Sequence, residues 1–174
     1  MHLPVQSGST RVLTAMRRRY SREQYLDLVV RIREAIPGVT LSTDMIVGFP
    51  GETAEDFEET LSLTELAQYH SMFSFKYSER PNTLATKRMP DTVSEDEKTA
   101  RIMALQSLQR DIQTRLHEQA IGTRLEVLID SESRRRDGEI SGRSAGNIVV
   151  NTTAPTDKQE NGTEPGGRVP QKPR

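Results

Sequence analysis

Between Ser21 and Tyr77 the chain switches from helical to strand periodicity and back at β-α lengths, the pattern of a parallel α/β sheet or barrel. Ser21-Arg22-Glu23-Gln24 has the spacing of a capping box, with a Ser hydroxyl to take a backbone N–H and a Gln to reach back. Tyr25, Leu28, Val29, Ile32 and Ile36 then recur at helical spacing until Pro37-Gly38 ends the run. Val39 to Val47 is rich in β-branched and apolar residues and predicts a buried parallel strand. Gly48-Phe49-Pro50-Gly51 turns the chain. Thr53-Ala54-Glu55-Asp56 opens a second helix to about Tyr69 with a capping-box-like pattern, and Ser71 to Tyr77 predicts a further strand with Phe73, Phe75 and Tyr77 on one face.

Upstream, Met1 to Ser7 reads as a short strand running into a turn at Gly8, and Thr10 to Arg19 as a short helix. About three strands are therefore available, too few to close an eight-stranded barrel. Downstream, Ser94 to Ile121 predicts a long helix with Ile102, Leu105, Ile112 and Leu116 near one stripe, broken by Gly122. Leu125, Val127 and Ile129 alternate with Glu126, Leu128 and Asp130 as in a strand, Asp137-Gly138 offers a hairpin turn, and Ile148-Val149-Val150 gives a last short strand. From Asn151 onward only Ala154 and Val169 are aliphatic, too little apolar surface to offset the entropy of ordering, so a disordered tail is expected. The expected division is 1–118, 119–151 and a tail over 152–174.

Composition narrows the chemistry. The chain has no cysteine, which removes disulfides, zinc-cysteine sites and any iron–sulfur cluster ligated by this chain alone. Hydrophobic residues are 33% against 28% charged, so burial is modest for 174 residues. A net charge of -1 argues against a uniformly basic nucleic-acid binder, yet the residues through Pro37 hold seven Arg and three acids. No stretch approaches the roughly 18 apolar residues of a membrane span, and a cytoplasmic protein without membrane contact is the expectation.

Several groups are candidates for a site, each with a plainer alternative. Gln6-Ser7-Gly8-Ser9 falls where a strand ends, and ligands of α/β sheets bind at the carboxyl ends of strands; the alternative is a turn that satisfies its own backbone. Val47-Gly48-Phe49, continued by Pro50-Gly51-Glu52, ends another strand with two glycines that permit close approach of a flat or anionic ligand, or is an ordinary strand-to-helix turn. Asp44, inside an apolar strand, is either a site residue or paired to an Arg for structure. Arg17, Arg18 and Arg19 either fork onto phosphates or form a solvated helix face. His2, His70 and His117 are too dispersed for a local metal motif.

Three separate strings carry a resemblance. His2-Leu3-Pro4-Val5-Gln6-Ser7-Gly8-Ser9-Thr10-Arg11-Val12-Leu13, then Thr43-Asp44 with Ile46-Val47-Gly48-Phe49-Pro50-Gly51-Glu52-Thr53 and Asp56-Phe57, and then Phe75-Lys76-Tyr77-Ser78-Glu79-Arg80 resemble the tRNA methylthiotransferase family of radical S-adenosylmethionine enzymes. Within it, the wording is most similar to the MiaB type, which methylthiolates isopentenyladenosine beside the tRNA anticodon. Sister enzymes acting on threonylcarbamoyladenosine or on a ribosomal-protein aspartate are the alternatives. Leu125 to Val150, with Ser141-Gly142-Arg143, resembles the first half of a TRAM domain, a small RNA-gripping β-barrel.

The resemblance implies the distal part of a radical S-adenosylmethionine (β/α) barrel followed by a partial all-β TRAM domain. It implies S-adenosylmethionine and 4Fe-4S clusters as cofactors, with the cluster cysteines in an N-terminal part of the enzyme upstream of Met1. Gln6 and Ser7 would lie near the cofactor ribose and Val47, Gly48 and Phe49 near its adenine. Arg17, Arg18, Arg19 and Arg143 would meet a tRNA anticodon stem-loop. No residue of this chain is expected to be catalytic, so the chain alone is expected to be inactive. Two departures stand out: Asn82 occupies a place where relatives usually carry Gly, and a polar tail replaces the later TRAM strands. The competing class is a non-catalytic RNA-binding module, and the plainest alternative is a truncated product without a function of its own.

Overall fold

The computed structural model describes residues 1–79, 89–132 and 138–153. These form two compact units, Met1–Leu125 and the residues from Glu126 onward.

In the first unit the order is α1 (Thr10–Ala15), α2 (Arg22–Ala35), β1 (Ser42–Val47), α3 (Ala54–Ala67), β2 (Ser71–Lys76) and α4 (Glu95–Ala120). β1 and β2 pair in parallel, Ser42 opposite Ser71 through Val47 opposite Lys76. On the other edge of β1 lies the segment expected to be a strand. It makes two parallel bridges, His2 to Ser42 and Gln6 to Met45, and no continuous ladder. The reason is local: Pro4 has no N–H to give, and the Val5 N–H turns to the Thr43 hydroxyl at 3.1 Å. Gln6, at φ +76°, then bends the chain away.

Both expected capping boxes are present, Ser21 with Gln24 at α2 and Thr53 with Asp56 at α3. α1 is shorter than Thr10 to Arg19. Arg17 adopts φ +61°, and the Arg18 N–H returns to the Leu13 carbonyl at 2.9 Å, a Schellman-type stop that takes the Arg run out of the helix. α3 ends at Ala67 rather than Tyr69, because Gln68 is left-handed and sends Tyr69 into the core.

One face of β1, made of Thr43, Met45 and Val47, is fully buried. It packs with Val5, Tyr25, Val29, Leu41, Phe57, Leu63, Ala67, Tyr69 and Leu105 in one cluster. Each such aliphatic side chain contributes about 1.5–3 kcal/mol by leaving water. The Tyr69 hydroxyl donates to the Tyr25 hydroxyl at 2.9 Å, and Tyr25 donates to the Leu3 carbonyl at 2.8 Å, so the buried tyrosines tie the entry segment to α2. The opposite sheet face is open: Phe73 and Phe75 keep 59% and 53% of their surface.

In the second unit β3 (Val127–Glu132), β4 (Glu139–Ser144) and β5 (Val149–Thr153) form an antiparallel sheet in chain order. Thr152 and Thr153, expected to begin the tail, instead complete β5 by pairing with Ile140 and Glu139. Residues 133–137, with the Asp137 of the expected hairpin turn, lie outside the described residues, as do Asn82 and residues 154–174. No helix of the described residues is long and apolar enough to cross a membrane.

Candidate functional site

The carboxyl ends of the entry segment and of β1 meet in a network of polar side chains. Ser9 caps α1 and donates its hydroxyl to Asp56 Oδ1 at 2.6 Å. Asp56 also receives the Thr53 N–H at 2.8 Å and the Arg11 guanidinium, while Arg11 reaches on to the Gly51 carbonyl at 2.5 Å. Burial pushes Asp56 upward, but the hydrogen bonds from Arg11, Ser9 and Thr53 outweigh it and hold the carboxyl well below the usual carboxylate range. Residues 6 to 11 are thereby locked against residues 51 to 56. Gly8 serves that closeness: a Cβ there would collide with the Thr60 backbone on α3, and its N–H donates to the Thr60 hydroxyl at 2.9 Å.

The turn after β1 is held from beneath by α4. Gly48 has φ +72°, and its N–H donates to Glu52 Oε2 at 2.6 Å. Arg101 meets the same oxygen at 2.8 Å, with the Glu52 side chain wholly buried. Burial pushes Glu52 up, opposed by the Gly48 N–H and then Arg101. Lys98 lays its stem across Gly48 and carries its ammonium to Asp91 and Glu95, 5.8 Å from the Tyr77 ring centroid. Phe49 meets Tyr77 edge-on at 5.3 Å.

Of the residues expected near a cofactor, Gln6 and Ser7 end the entry segment and Val47, Gly48 and Phe49 end β1, so all five lie on adjacent strand ends. What each offers differs. Gln6 is half-buried, whereas Ser7 is fully buried and accepts the Ser9 N–H at 3.2 Å. The Val47 side chain points into the core, and its carbonyl takes the Tyr77 N–H at 2.8 Å. Phe49 is buried as well.

Arg17, Arg18 and Arg19 are exposed and carry no ion pair among the described residues. Arg143, in the second unit, is exposed on β4 and donates to Asn147 at 3.0 Å. Asp44 has found a His rather than an Arg: His2 Nε2 lies 3.4 Å from its Oδ2, and His2 Nδ1 lies 2.9 Å from the Ser42 hydroxyl. His70 sits at the start of β2 with Nδ1 buried and unpartnered among the described residues, and burial pushes its pKa down.

Lys98 and Arg101 were not anticipated. Their signal lay in spacing, since positions 98, 101, 105, 109 and 112 are all buried on one stripe of α4. The expected apolar stripe began only at Ile102, because two cations do not read as core.

The sequence matches the Radical SAM superfamily over residues 1–64. It is 48% identical over 158 residues to the tRNA-2-methylthio-N(6)-dimethylallyladenosine synthase of Desulfotalea psychrophila, covering 91% of this chain and 34% of that protein. Proteins of the same description from Geotalea uraniireducens and Chlorobium chlorochromatii are 49% and 48% identical over 154 and 150 residues, or 88% and 86% of this chain. The chain is thus similar to one part of the radical SAM tRNA methylthiotransferases. It spans about a third of the length of these curated relatives.

This family of transferases works with S-adenosylmethionine and 4Fe-4S clusters. Methylthiotransferase clusters need thiolates, and this chain has no cysteine. Among the described residues no group of three His, Cys, Asp or Glu side chains is placed to hold a metal. The residues present therefore do not fit a cluster. At the two strand ends the chain offers instead a half-buried amide at Gln6 and, after β1, a glycine turn whose backbone is fixed.

Proposed function

We propose that this chain supplies one wall of the S-adenosylmethionine pocket, and RNA contacts, to an enzyme that adds a methylthio group to isopentenyladenosine beside the tRNA anticodon. The observation that carries this reading is the identity of 48% over 158 residues with a synthase of the methylthiolated nucleoside, beside the superfamily match over residues 1–64, which contains both strand-end turns. The first unit is then the distal part of a (β/α) barrel, the second the first half of a TRAM domain, and the setting the cytoplasm. The cysteine-bearing N-terminal part is the required partner. Sister activities on threonylcarbamoyladenosine or a ribosomal-protein aspartate are the alternatives within the family.

Bound here, S-adenosylmethionine would supply the adenosyl group for radical chemistry, and the residues of this chain would bind and orient its nucleoside. Gln6 and Ser7 would face the ribose. The turn at Val47, Gly48 and Phe49 would face the adenine through backbone atoms left over from the bonds to Tyr77 and Glu52. Arg17, Arg18 and Arg19, with guanidiniums free of ion pairs among the described residues, would take phosphates of the anticodon stem-loop, and Arg143 would add a contact from the second unit.

The test is reconstitution. The chain alone, incubated with iron, sulfide and reductant, is expected to cleave no S-adenosylmethionine; mixed with the cysteine-bearing part of a relative, it is expected to yield methylthiolated tRNA. Cleavage by the chain alone would refute the reading. Tight binding of the stem-loop by the chain without iron, with no gain on mixing, would favour a non-catalytic RNA-binding module, a reading the three exposed arginines also support.

A further inference from the structure

The hold on the turn after β1 is more specific than packing requires. Arg101 Nη1 grips Glu52 twice, at the carboxylate Oε2 at 2.8 Å and at the backbone carbonyl at 3.2 Å. Its other terminal nitrogen is anchored to Glu97 Oε1 at 3.2 Å, one turn back on α4. The planar guanidinium, whose Cζ lies over the Phe57 ring 5.8 Å from its centroid, can make these bonds together because its donors are fixed relative to one another. Glu52 Oε2 passes the constraint to Gly48, whose N–H lies 2.6 Å away. Glu52 Oε1 meanwhile has no partner among the described residues, so the pair is not arranged for the greatest stability. A filler of this space would be apolar, since burying two charges brings a desolvation penalty that well-packed hydrophobic residues avoid.

We propose that Arg101 is a positioning residue: by fixing the Glu52 carboxylate and carbonyl, it sets the direction of the Gly48 N–H and hence the path of the Val47–Phe49 turn. The link to ligand rests on the reading of that turn as part of the S-adenosylmethionine site. The link to the turn itself does not. Lys98 closes the other side, where its Cγ would overlap any Cβ at position 48.

The test is amide exchange and chemical shift in the isotope-labelled full chain, for the wild type and for Arg101→Met and Arg101→Lys, with S-adenosylmethionine as the titrant. In Arg101→Met the Gly48 amide is expected to exchange about tenfold faster and to lose the downfield shift of a bond to a carboxylate, while Leu13 and Val29 keep their protection. The wild type is expected to show ligand-induced shifts at Phe49, and Arg101→Met to need roughly tenfold more ligand for the same shifts. Arg101→Lys is expected to restore part of both losses. An unchanged Gly48 amide in Arg101→Met, or exchange that quickens equally across the whole first unit, overturns the proposal. Should Arg101→Met not fold, the wild type decides: a Gly48 amide that exchanges like an exposed loop sinks the clamp, and one as slow as Val47 upholds it. If the wild type ignores S-adenosylmethionine, the cofactor reading of the turn fails, while Gly48 exchange still judges Arg101.

Discussion

The two units of this chain spend their apolar residues in opposite ways. In the first, Leu13, Leu41, Met45, Leu63, Leu105 and Ile112 are fully buried under helices that also bring buried charges to the sheet end. In the second, Leu128, Ile129 and Val149 stand exposed on a three-stranded sheet, Leu128 with 77% of its surface. Hydrogen bonding is well developed in both, so the ladder does not distinguish them. Among the described residues the first unit carries the buried apolar cluster, and the second has a ladder without one.

The most forceful way to break that contrast is a pair of identical truncations. Leu105→Ala removes a side chain with no exposure from the central cluster and is expected to cost about 2–5 kcal/mol, read as a fall in the urea midpoint. Leu128→Ala is expected to shift the same curve by less than about 0.5 kcal/mol. Equal losses would show that the second unit shares a cooperative core with the first.

Gly48→Ala sharpens the comparison at the sheet end. The residue has φ +72°, and an added Cβ would run into the middle of the Lys98 stem, which α4 cannot move away cheaply. A loss of about 2–4 kcal/mol is expected from strain and overpacking together. If thermal unfolding shows no loss, the turn is looser than its bonds to Glu52 and Tyr77 imply.

How much of the fold and site is legible in the sequence divides along sequence distance. The capping boxes at Ser21 and Thr53 and the β-α alternation are local, and they appear as read. The stop of α1 is hidden because Arg17 gives no cue for a left-handed residue, whereas the Pro37-Gly38 stop of α2 is plain. At the site the strand-end residues Gln6 and Gly48 are visible from the strand pattern. Arg101 is not, because its partner Glu52 lies 49 positions away and only the fold brings them together. Asp44, a carboxylate in an apolar strand, plainly needs a partner, but no local pattern points to His2.

The acid limb of stability tests the carboxylate network. Asp56 is held well below its ordinary value of 3.8, so the stabilisation it contributes is fully present above that value and is lost as pH falls toward the folded-state value. Asp56→Asn is expected to be less stable than the wild type at pH 7 and to converge with it in the acid range, measured by urea unfolding at a series of pH values. Parallel curves would mean the loss is one of packing. His70 acts in the same direction at higher pH: burial lowers its folded value, so stability should decline as pH drops below about 6.5. His70→Gln should flatten only that part of the profile.

The smallest effect on folding is expected where the functional reading asks most. Arg17, Arg18 and Arg19 are exposed, lie beyond the last turn of α1 and make no ion pair among the described residues. Replacing all three by Ala should leave the unfolding midpoint within about 0.5 kcal/mol of wild type. If they take phosphates, the same change lowers affinity for an anticodon stem-loop and reduces the slope of log affinity against log salt by about one for every phosphate no longer neutralised, whatever the RNA sequence. A triple variant that binds with the wild-type salt slope would assign the run to a solvated surface. The strand ends at Gln6–Ser7 and Val47–Phe49 would then carry the functional reading of the first unit, and Arg143 would be the RNA contact left among the residues proposed for it.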